Sequence, residues 1–247
     1  MQRFFNTVCQ QPYMKPRHIL LVLPLLCLVA TTHAQQTTYT AGLNSGWFYI
    51  TSKNASNSTS IIASPTIRGE MMGPRKSSPE FSYEINGRIQ RHTNSGFIYG
   101  AELAYQSLHS SVTINYITPF SYSSSLMQAG GKVKLNSNFI TVSPYAGFRL
   151  LNKKINIDLS SGIEFAACVN RNEEINAKQL GTGDSYHAIN TLRKNMDYRI
   201  RFQLVTSINR IGLTAGYASG LRNYYHEKDM LTGYSRFIRL GLTYRIH

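Results

Sequence analysis

The hydrophobic and polar positions at the C-terminal end of the chain, from Tyr234 to His247, alternate with a period of two. The apolar residues of this stretch share one parity: Ile238, Leu240, Leu242, Tyr244 and Ile246. The other parity holds Arg239, Gly241, Thr243 and Arg245. Because successive side chains of a β-strand point to opposite faces, the stretch predicts a strand with one apolar and one cationic face.

Similar alternation along the chain predicts eight strands, at about residues 39–51, 81–90, 97–108, 138–150, 155–169, 198–208, 211–222 and 234–247. Short polar turns at 92–96, 152–154 and 209–210 alternate strictly with long connections at 52–80, 109–137, 170–197 and 223–233. Short turns on one rim and long loops on the other are typical of a membrane barrel. The sequence therefore predicts an all-β, eight-stranded antiparallel up-and-down transmembrane β-barrel. A further strand at Ser60–Arg68 leaves ten strands as an alternative.

Charged residues within the predicted strands fall on the rows opposite the apolar ones. They are Glu84, Arg88, Glu102, Arg149, Asp158, Glu164, Arg199, Arg201, Arg222, Arg239 and Arg245. A basic side chain facing lipid at mid-depth costs roughly 2–4 kcal/mol, so these charges are expected in the lumen. Side chains just fill the interior of an eight-stranded barrel, which predicts a polar plug of paired charges. The excess of arginine leaves a narrow conduit or an anion site as the alternative.

Aromatic residues lie near the ends of the predicted strands, where membrane barrels carry interfacial girdles. Those expected at the membrane surface are Trp47, Tyr49, Tyr105, Tyr224, Tyr225, Tyr234 and Phe237 at the long-loop rim, and Tyr244 at the short-turn rim. A secreted soluble barrel of the lipocalin kind would reverse the facing, with apolar rows inside and charges outside. The aromatic positions favour the membrane barrel.

The N-terminal segment has the features of a secretory leader. Lys15 and Arg17 precede an apolar run at 19–30, and Thr32–Ala34 resembles a cleavage site, which predicts cleavage between Ala34 and Gln35. The domains expected are a signal peptide at 1–34 and a barrel at 35–247, with Met14 as an alternative start. Of 26 basic residues 23 then remain against 12 acidic ones. We expect an integral protein of the cell outer membrane with periplasmic termini and extracellular long loops.

Several segments resemble the PorT-like outer-membrane β-barrel proteins of Bacteroidetes-type bacteria. They are G-F-I-Y-G-A-E-L-A-Y at 96–105, S-P-Y-A-G-F-R-L at 143–150, S-S-G-I-E-F at 160–165, and G-L-T-A-G-Y-A-S-G-L-R-N-Y at 212–224, together with the closing L-G-L-T-Y-R-I at 240–246. The resemblance implies an eight-stranded barrel without known chemistry. It also brings a role in a secretion apparatus into consideration, by analogy of fold alone.

No catalytic, cofactor or metal site is expected from the sequence. His109 and Ser110 are adjacent strand residues and point to opposite faces. His109 and Ser111 could meet, but no acid lies on a lipid-facing row to orient the histidine. The expected role is structural or loop-mediated interaction, with a small transport or lipid-handling barrel, or a secretion component, as alternatives. Basic loops are expected to contact phosphates of outer-membrane lipid, and an envelope or extracellular protein is the other partner considered. Export of the chain argues against nucleic acid.

Overall fold

The computed structural model describes residues 36–52, 56, 58–63, 70–72, 76–119, 126–152, 154–224 and 233–246. The predicted leader, the cleavage position between Ala34 and Gln35, and Tyr225 lie outside these residues. No helix in the described part is long and apolar enough to cross a bilayer.

Regular structure in the described part consists of β-strands. In chain order they are β1 (Gln36–Thr51), β2 (Ser58–Ala63), β3 (Glu70–Met72), β4 (Ser78–His92), β5 (Phe97–Pro119), β6 (Met127–Asn152), β7 (Ile155–Gln179), β8 (Ser185–Thr191), β9 (Met196–Ile208), β10 (Ile211–Gly220) and β11 (Tyr234–Arg245).

Eight of these strands form a closed ring in the order β1-β4-β5-β6-β7-β9-β10-β11. All its pairings are antiparallel, and β11 closes the ring onto β1 in a register that runs from Thr40↔Arg245 to Thr51↔Tyr234. The predicted eight-stranded antiparallel barrel is therefore confirmed. An extra strand does form near the predicted position, but β2 pairs in parallel with β5 outside the ring, so the ten-stranded alternative is wrong.

The apolar rows of the barrel strands face outward and the charged rows face inward. Phe81 is 64% exposed and Leu213 is 63% exposed, whereas Glu84 on the opposite row of β4 is completely buried. This facing is that of a transmembrane barrel, and it contradicts the soluble alternative, in which the charges would be outside. In β6 the outward apolar row covers residues 140–150. That length matches the roughly 9–11 residues that a tilted strand needs to cross a bilayer.

Three strands continue well past the apolar rows. β5 has 23 residues, β6 has 26 and β7 has 25, so the predicted long connections at 109–137 and 170–197 were largely wrong. Beyond the barrel the paired segments 107–119, 127–138 and 170–179 gain β2 and β3 at one edge and β8 at the other. We call these three segments with β2, β3 and β8 the outer sheet.

Candidate functional site

A network of buried charged side chains fills the middle of the barrel, and its centre is Glu102 on β5. Its carboxylate accepts hydrogen bonds from Arg88 Nη2 at 2.7 Å and from Arg201 Nη1 at 2.5 Å. Gln203 accepts from the same two guanidinium groups, at 2.6 Å and 2.8 Å. The period of two places all four side chains on inward rows, and the closed ring brings strands distant in sequence face to face.

Arg239 on β11 joins two further carboxylates. Its Nη1 donates to Glu84 and its Nη2 donates to Glu164 Oε2 at 2.8 Å. Arg199 Nη1 donates to the other oxygen of Glu164 at 2.8 Å. Glu84 also accepts from the side-chain amide of Gln106 at 2.7 Å. Arg199, Arg239 and both glutamates are fully buried, and each of these charged groups directly contacts a group of opposite charge.

Two more ion pairs extend the network toward the two rims. On the long-loop side, Arg199 Nε donates to Asp197 Oδ2 at 2.7 Å, and Ser235 donates to the same oxygen. On the short-turn side, Arg149 binds Asp158 through Nε at 2.7 Å and Nη2 at 2.9 Å. Sequence reasoning missed Asp197, which it left in a loop, although Asp197 shares the parity of Arg199 and Arg201 and immediately precedes the predicted strand.

Positive and negative charges in this network are balanced. The paired carboxylates are Glu84, Glu102, Asp158, Glu164 and Asp197, and the paired arginines are Arg88, Arg149, Arg199, Arg201 and Arg239. Arg222 corrects the prediction, because β10 ends at Gly220 and leaves Arg222 exposed beyond the barrel. Arg245 is half-buried and lines the short-turn mouth. The luminal excess of arginine that favoured an anion site is therefore absent from the described network.

The cavities that the described residues form beside the network are small. A cavity of about 30 Å³ at the short-turn mouth, lined in part by Arg88, Arg149 and Arg245, has room for about one or two waters. On the long-loop side an apolar cluster covers the charges. It consists of Phe48, Ile50, Leu108, Leu135, Phe139, Ala166, Ala218, Tyr224 and Phe237. The described lumen is thus a polar plug under an apolar lid.

The predicted interfacial aromatics divide between the outer wall and this lid. Trp47, Tyr105, Tyr234 and Tyr244 are exposed on the wall, and Tyr49 is half-buried on the same outward row as Trp47. Phe237 and Tyr224 are corrections, because both are buried inside. The Arg239 guanidinium lies 4.7 Å from the Phe237 ring centroid, and that of Arg171 lies 4.2 Å from the Tyr224 ring. The parity that Phe237 shares with Arg239 could have identified its facing.

The outer sheet has an apolar inner face and a polar outer face. Its inner cluster is formed by Ile61, Ile114, Ile117, Ala129, Val133, Ile175 and Ala177, with Tyr186 and Ala188 packed against it. On the outer face, Lys132 lies between Thr113 and Asn176, and His187 continues the same cross-strand row. A hydrogen bond of 2.7 Å joins His187 Nδ1 to Asn176 Oδ1. The sheet therefore has its own packed core and offers a broad polar surface.

A similar cross-strand row contains Ser111, Lys134, Glu174 and Ile189. Lys134 is exposed, and Asn176 donates to Glu174 at 2.8 Å. Just below this row, His109 pairs with Ser107 rather than with the neighbouring serines. Its Nε2 lies 3.3 Å from Ser107 Oγ, and its Nδ1 lies 2.9 Å from the carbonyl oxygen of Phe81. The described residues contain no cluster of three or more side chains suited to a metal ion.

The closed ring, the outward apolar rows and the paired interior define the class of protein: the chain is an eight-stranded transmembrane β-barrel. Neither a scan of protein-family models nor a search of curated proteins finds a match.

Solved structures similar to the chain are outer-membrane β-barrel proteins. Ail, the attachment invasion locus protein of Yersinia pestis, in complex with the heparin analogue sucrose octasulfate, is 11% identical over 86% of this chain and 100% of its own, with a TM-score of 0.37. Neisserial surface protein A is 9% identical over 85% of this chain and 99% of its own, with a TM-score of 0.38. The translocator domain of autotransporter NalP from Neisseria meningitidis is 8% identical over 93% of this chain and 96% of its own, with a TM-score of 0.31. The barrel assignment rests on the ring itself, since these scores are low.

Proposed function

We propose that this protein is a non-enzymatic scaffold of the outer membrane, which holds the outer sheet outside the cell for a protein partner. The observation that carries the proposal is the length of β5, β6 and β7. β6 has 26 residues, more than twice the roughly 9–11 that a bilayer requires, and its excess forms paired sheet instead of loose loop. A hydrogen-bonded extension with its own apolar cluster is a rigid surface, as recognition requires.

The same features support the proposed location and orientation. The predicted leader, together with outward apolar rows, fits a barrel that enters the outer membrane from the periplasm. The termini then lie at the periplasmic rim, with Arg245 N donating to the Arg210 carbonyl in the turn beside it. The outer sheet, at the opposite rim, faces the exterior. Basic residues near the membrane surface would meet lipid phosphates there.

The buried network suits a barrel that is rigid and closed to ions. Each carboxylate at its centre bonds at least two side chains from other strands, which ties distant parts of the ring together. An apolar lid across the long-loop end leaves no described path for ions. We therefore expect no steady conductance, and a stable open pore in planar bilayers would contradict this part of the proposal.

The partner surface is the polar outer face of the outer sheet. Lys132, Lys134 and Lys178 are exposed there beside Glu174, so the face carries a net positive charge and suits a protein with an acidic surface. The resemblance to PorT-like proteins is compatible with such an envelope role and remains a proposal.

Shortening the β5–β6 hairpin tests the proposal. Residues 112–133 are replaced by an Asn-Gly turn between Ser111 and Lys134, which are opposite each other in the hairpin. Migration of unheated samples on gels shows whether the barrel still folds. We expect the intact protein to retain a partner in pull-downs from membranes and the shortened one to lose it. Equal recovery by two folded proteins would refute the outer sheet as the binding surface.

The double variant Lys132→Gln/Lys134→Gln provides a milder change that keeps the hairpin. If an acidic partner binds this face, its retention should fall at low salt and should differ less from the wild type at high salt, where exposed charges are screened. The matched control is Lys154→Gln at the short-turn rim, which the proposal places on the other side of the membrane.

A further inference from the structure

Arg236 is a cation on the lipid-facing side of the barrel. It shares the outward row of β11 with Ile238 and Leu240, which are both exposed, and it lies directly across from Tyr49 on β1 and Ser219 on β10. Arg199, Arg201 and Arg239, on inward rows of β9 and β11, each contact a carboxylate. Among the described residues, Arg236 makes no salt bridge.

Hydroxyl groups hold Arg236 in place without neutralising it. Its Nη1 donates to the Tyr217 hydroxyl at 2.6 Å and to Ser219 Oγ. The guanidinium carbon lies 5.9 Å from the Tyr217 ring centroid. Both contacts engage the same nitrogen, so the other donors of the guanidinium can bind a further acceptor.

The position of Arg236 along β11 is at the edge of the apolar band. Tyr244 ends the same outward row at the short-turn rim, where its hydroxyl lies 3.5 Å from Arg210 Nη1. The eight-residue step from Arg236 to Tyr244 spans about 20 Å along the membrane normal at ~3.3 Å per residue and a tilt of ~40°. An apolar band is about 25 Å tall, so Arg236 lies within about 5 Å of the long-loop edge of this band, from where a long arginine side chain reaches the headgroups.

We infer that Arg236, with Tyr217, Ser219 and Tyr49 around it, forms a binding site on the outer wall for a lipid headgroup that carries an unshielded phosphate. A planar guanidinium can bind two phosphate oxygens at once, and tyrosine rings are favoured at this depth. The phosphate of the bound lipid would then be the anion that pairs with Arg236. This inference rests on the proposed function, because it requires the barrel to be in a membrane.

Trp47 provides a local probe, since it is the one tryptophan in the chain and is exposed on the wall opposite Ile238, one row below Arg236. The experiment measures quenching of Trp47 emission in vesicles that contain either brominated phosphatidic acid or brominated phosphatidylcholine. We expect phosphatidic acid to be preferred beside Trp47 by about fivefold, the effect of one basic residue near the surface.

The preference should fall to about one in Arg236→Gln and should largely persist in Arg236→Lys, which keeps the charge. Arg222→Gln is the matched control, because Arg222 is exposed near the same rim but lies outside the strand rows. A wild-type ratio near one, an unchanged ratio in Arg236→Gln, or an equal fall in Arg222→Gln would overturn the site. Inorganic phosphate, compared with chloride at equal ionic strength, should not alter the ratio; abolition by phosphate would assign the site to the free ion. If neither brominated lipid quenches Trp47, the barrel is not inserted, and the proposed function itself fails.

Discussion

Glu164 is the residue at which the luminal network can be tested most directly. Its two carboxylate oxygens separately accept hydrogen bonds from Arg199 and Arg239, and all three side chains are fully buried. Replacement by glutamine keeps the size and removes the charge. Each arginine then keeps one other carboxylate contact, Asp197 for Arg199 and Glu84 for Arg239. The substitution therefore leaves one positive charge of the network uncompensated inside the barrel.

Removing one member of a buried ion pair typically costs about 3–5 kcal/mol. We expect Glu164→Gln to lower the free energy of unfolding by about that amount, because the network is closed to bulk water on the long-loop side. Urea unfolding from lipid vesicles, followed by the emission of Trp47 as it leaves the bilayer, measures the loss. The matched control is Glu174→Gln on the outer face of the outer sheet, where the change should stay within about 0.5 kcal/mol.

A loss below about 1 kcal/mol in Glu164→Gln, which is the range of an exposed ion pair, would refute the reasoning. It would mean that water reaches Arg199 and Arg239 and that the network does not determine the rigidity of the barrel. Equal losses in both variants would also contradict it, since Glu174 has no part in the network.

Three further outcomes are expected. Gly46→Ala should lower the free energy of unfolding in urea by about 1–3 kcal/mol, because the added Cβ would lie 1.9 Å from the Ile238 carbonyl oxygen, where β1 pairs with β11 to close the ring. Gly87→Ala is the control and should be close to neutral, since no atom lies within 4 Å of its added Cβ. Trp47 emission should be quenched by brominated phosphatidylcholine vesicles, and no quenching of a folded protein would contradict the outward facing. Planar bilayers should show no steady channel for the wild type, and conductance that appears only in Arg149→Ala would assign the barrier to the short-turn mouth instead of the apolar lid.

Facing within the membrane could be predicted from the sequence because the bilayer imposes a strict contrast. Ile238 and Arg239 are neighbours, and only one facing keeps the arginine away from lipid. The same rule correctly oriented β4, where Glu84 is buried and Ile85 is exposed. Which charges contact each other could not be predicted, because the partners of Glu102 come from β4 and β9, and their contact depends on closure of the ring.

The outer sheet escaped prediction because the hydrophobic parity reverses along single strands. In β6, Ile140 and Val142 point outward to lipid, but beyond the bilayer Val133 and Leu135 point inward and are buried, with Lys134 outside. When the apolar residues of a strand change face, the sequence pattern predicts that the strand ends there. The change of parity between Leu135 and Ile140 in fact marks the place where the strand leaves the membrane.

The paired charges in the lumen are equal in number, so the net charge of +14 does not indicate an excess of positive charge inside the barrel. From the sequence, the excess of arginine suggested an anion inside the barrel. Because Asp197 joins the network and Arg222 lies outside it, the paired charges cancel there, and the exposed basic residues of the described part, such as Lys132, Lys134 and Arg222, lie outside the lumen. Surfaces outside the lumen are those at which a membrane barrel meets phosphate groups and partner proteins. Arg236 is a further positive charge outside the lumen: it lies on a lipid-facing row, where it contacts the hydroxyl and the ring of Tyr217 and Ser219 Oγ.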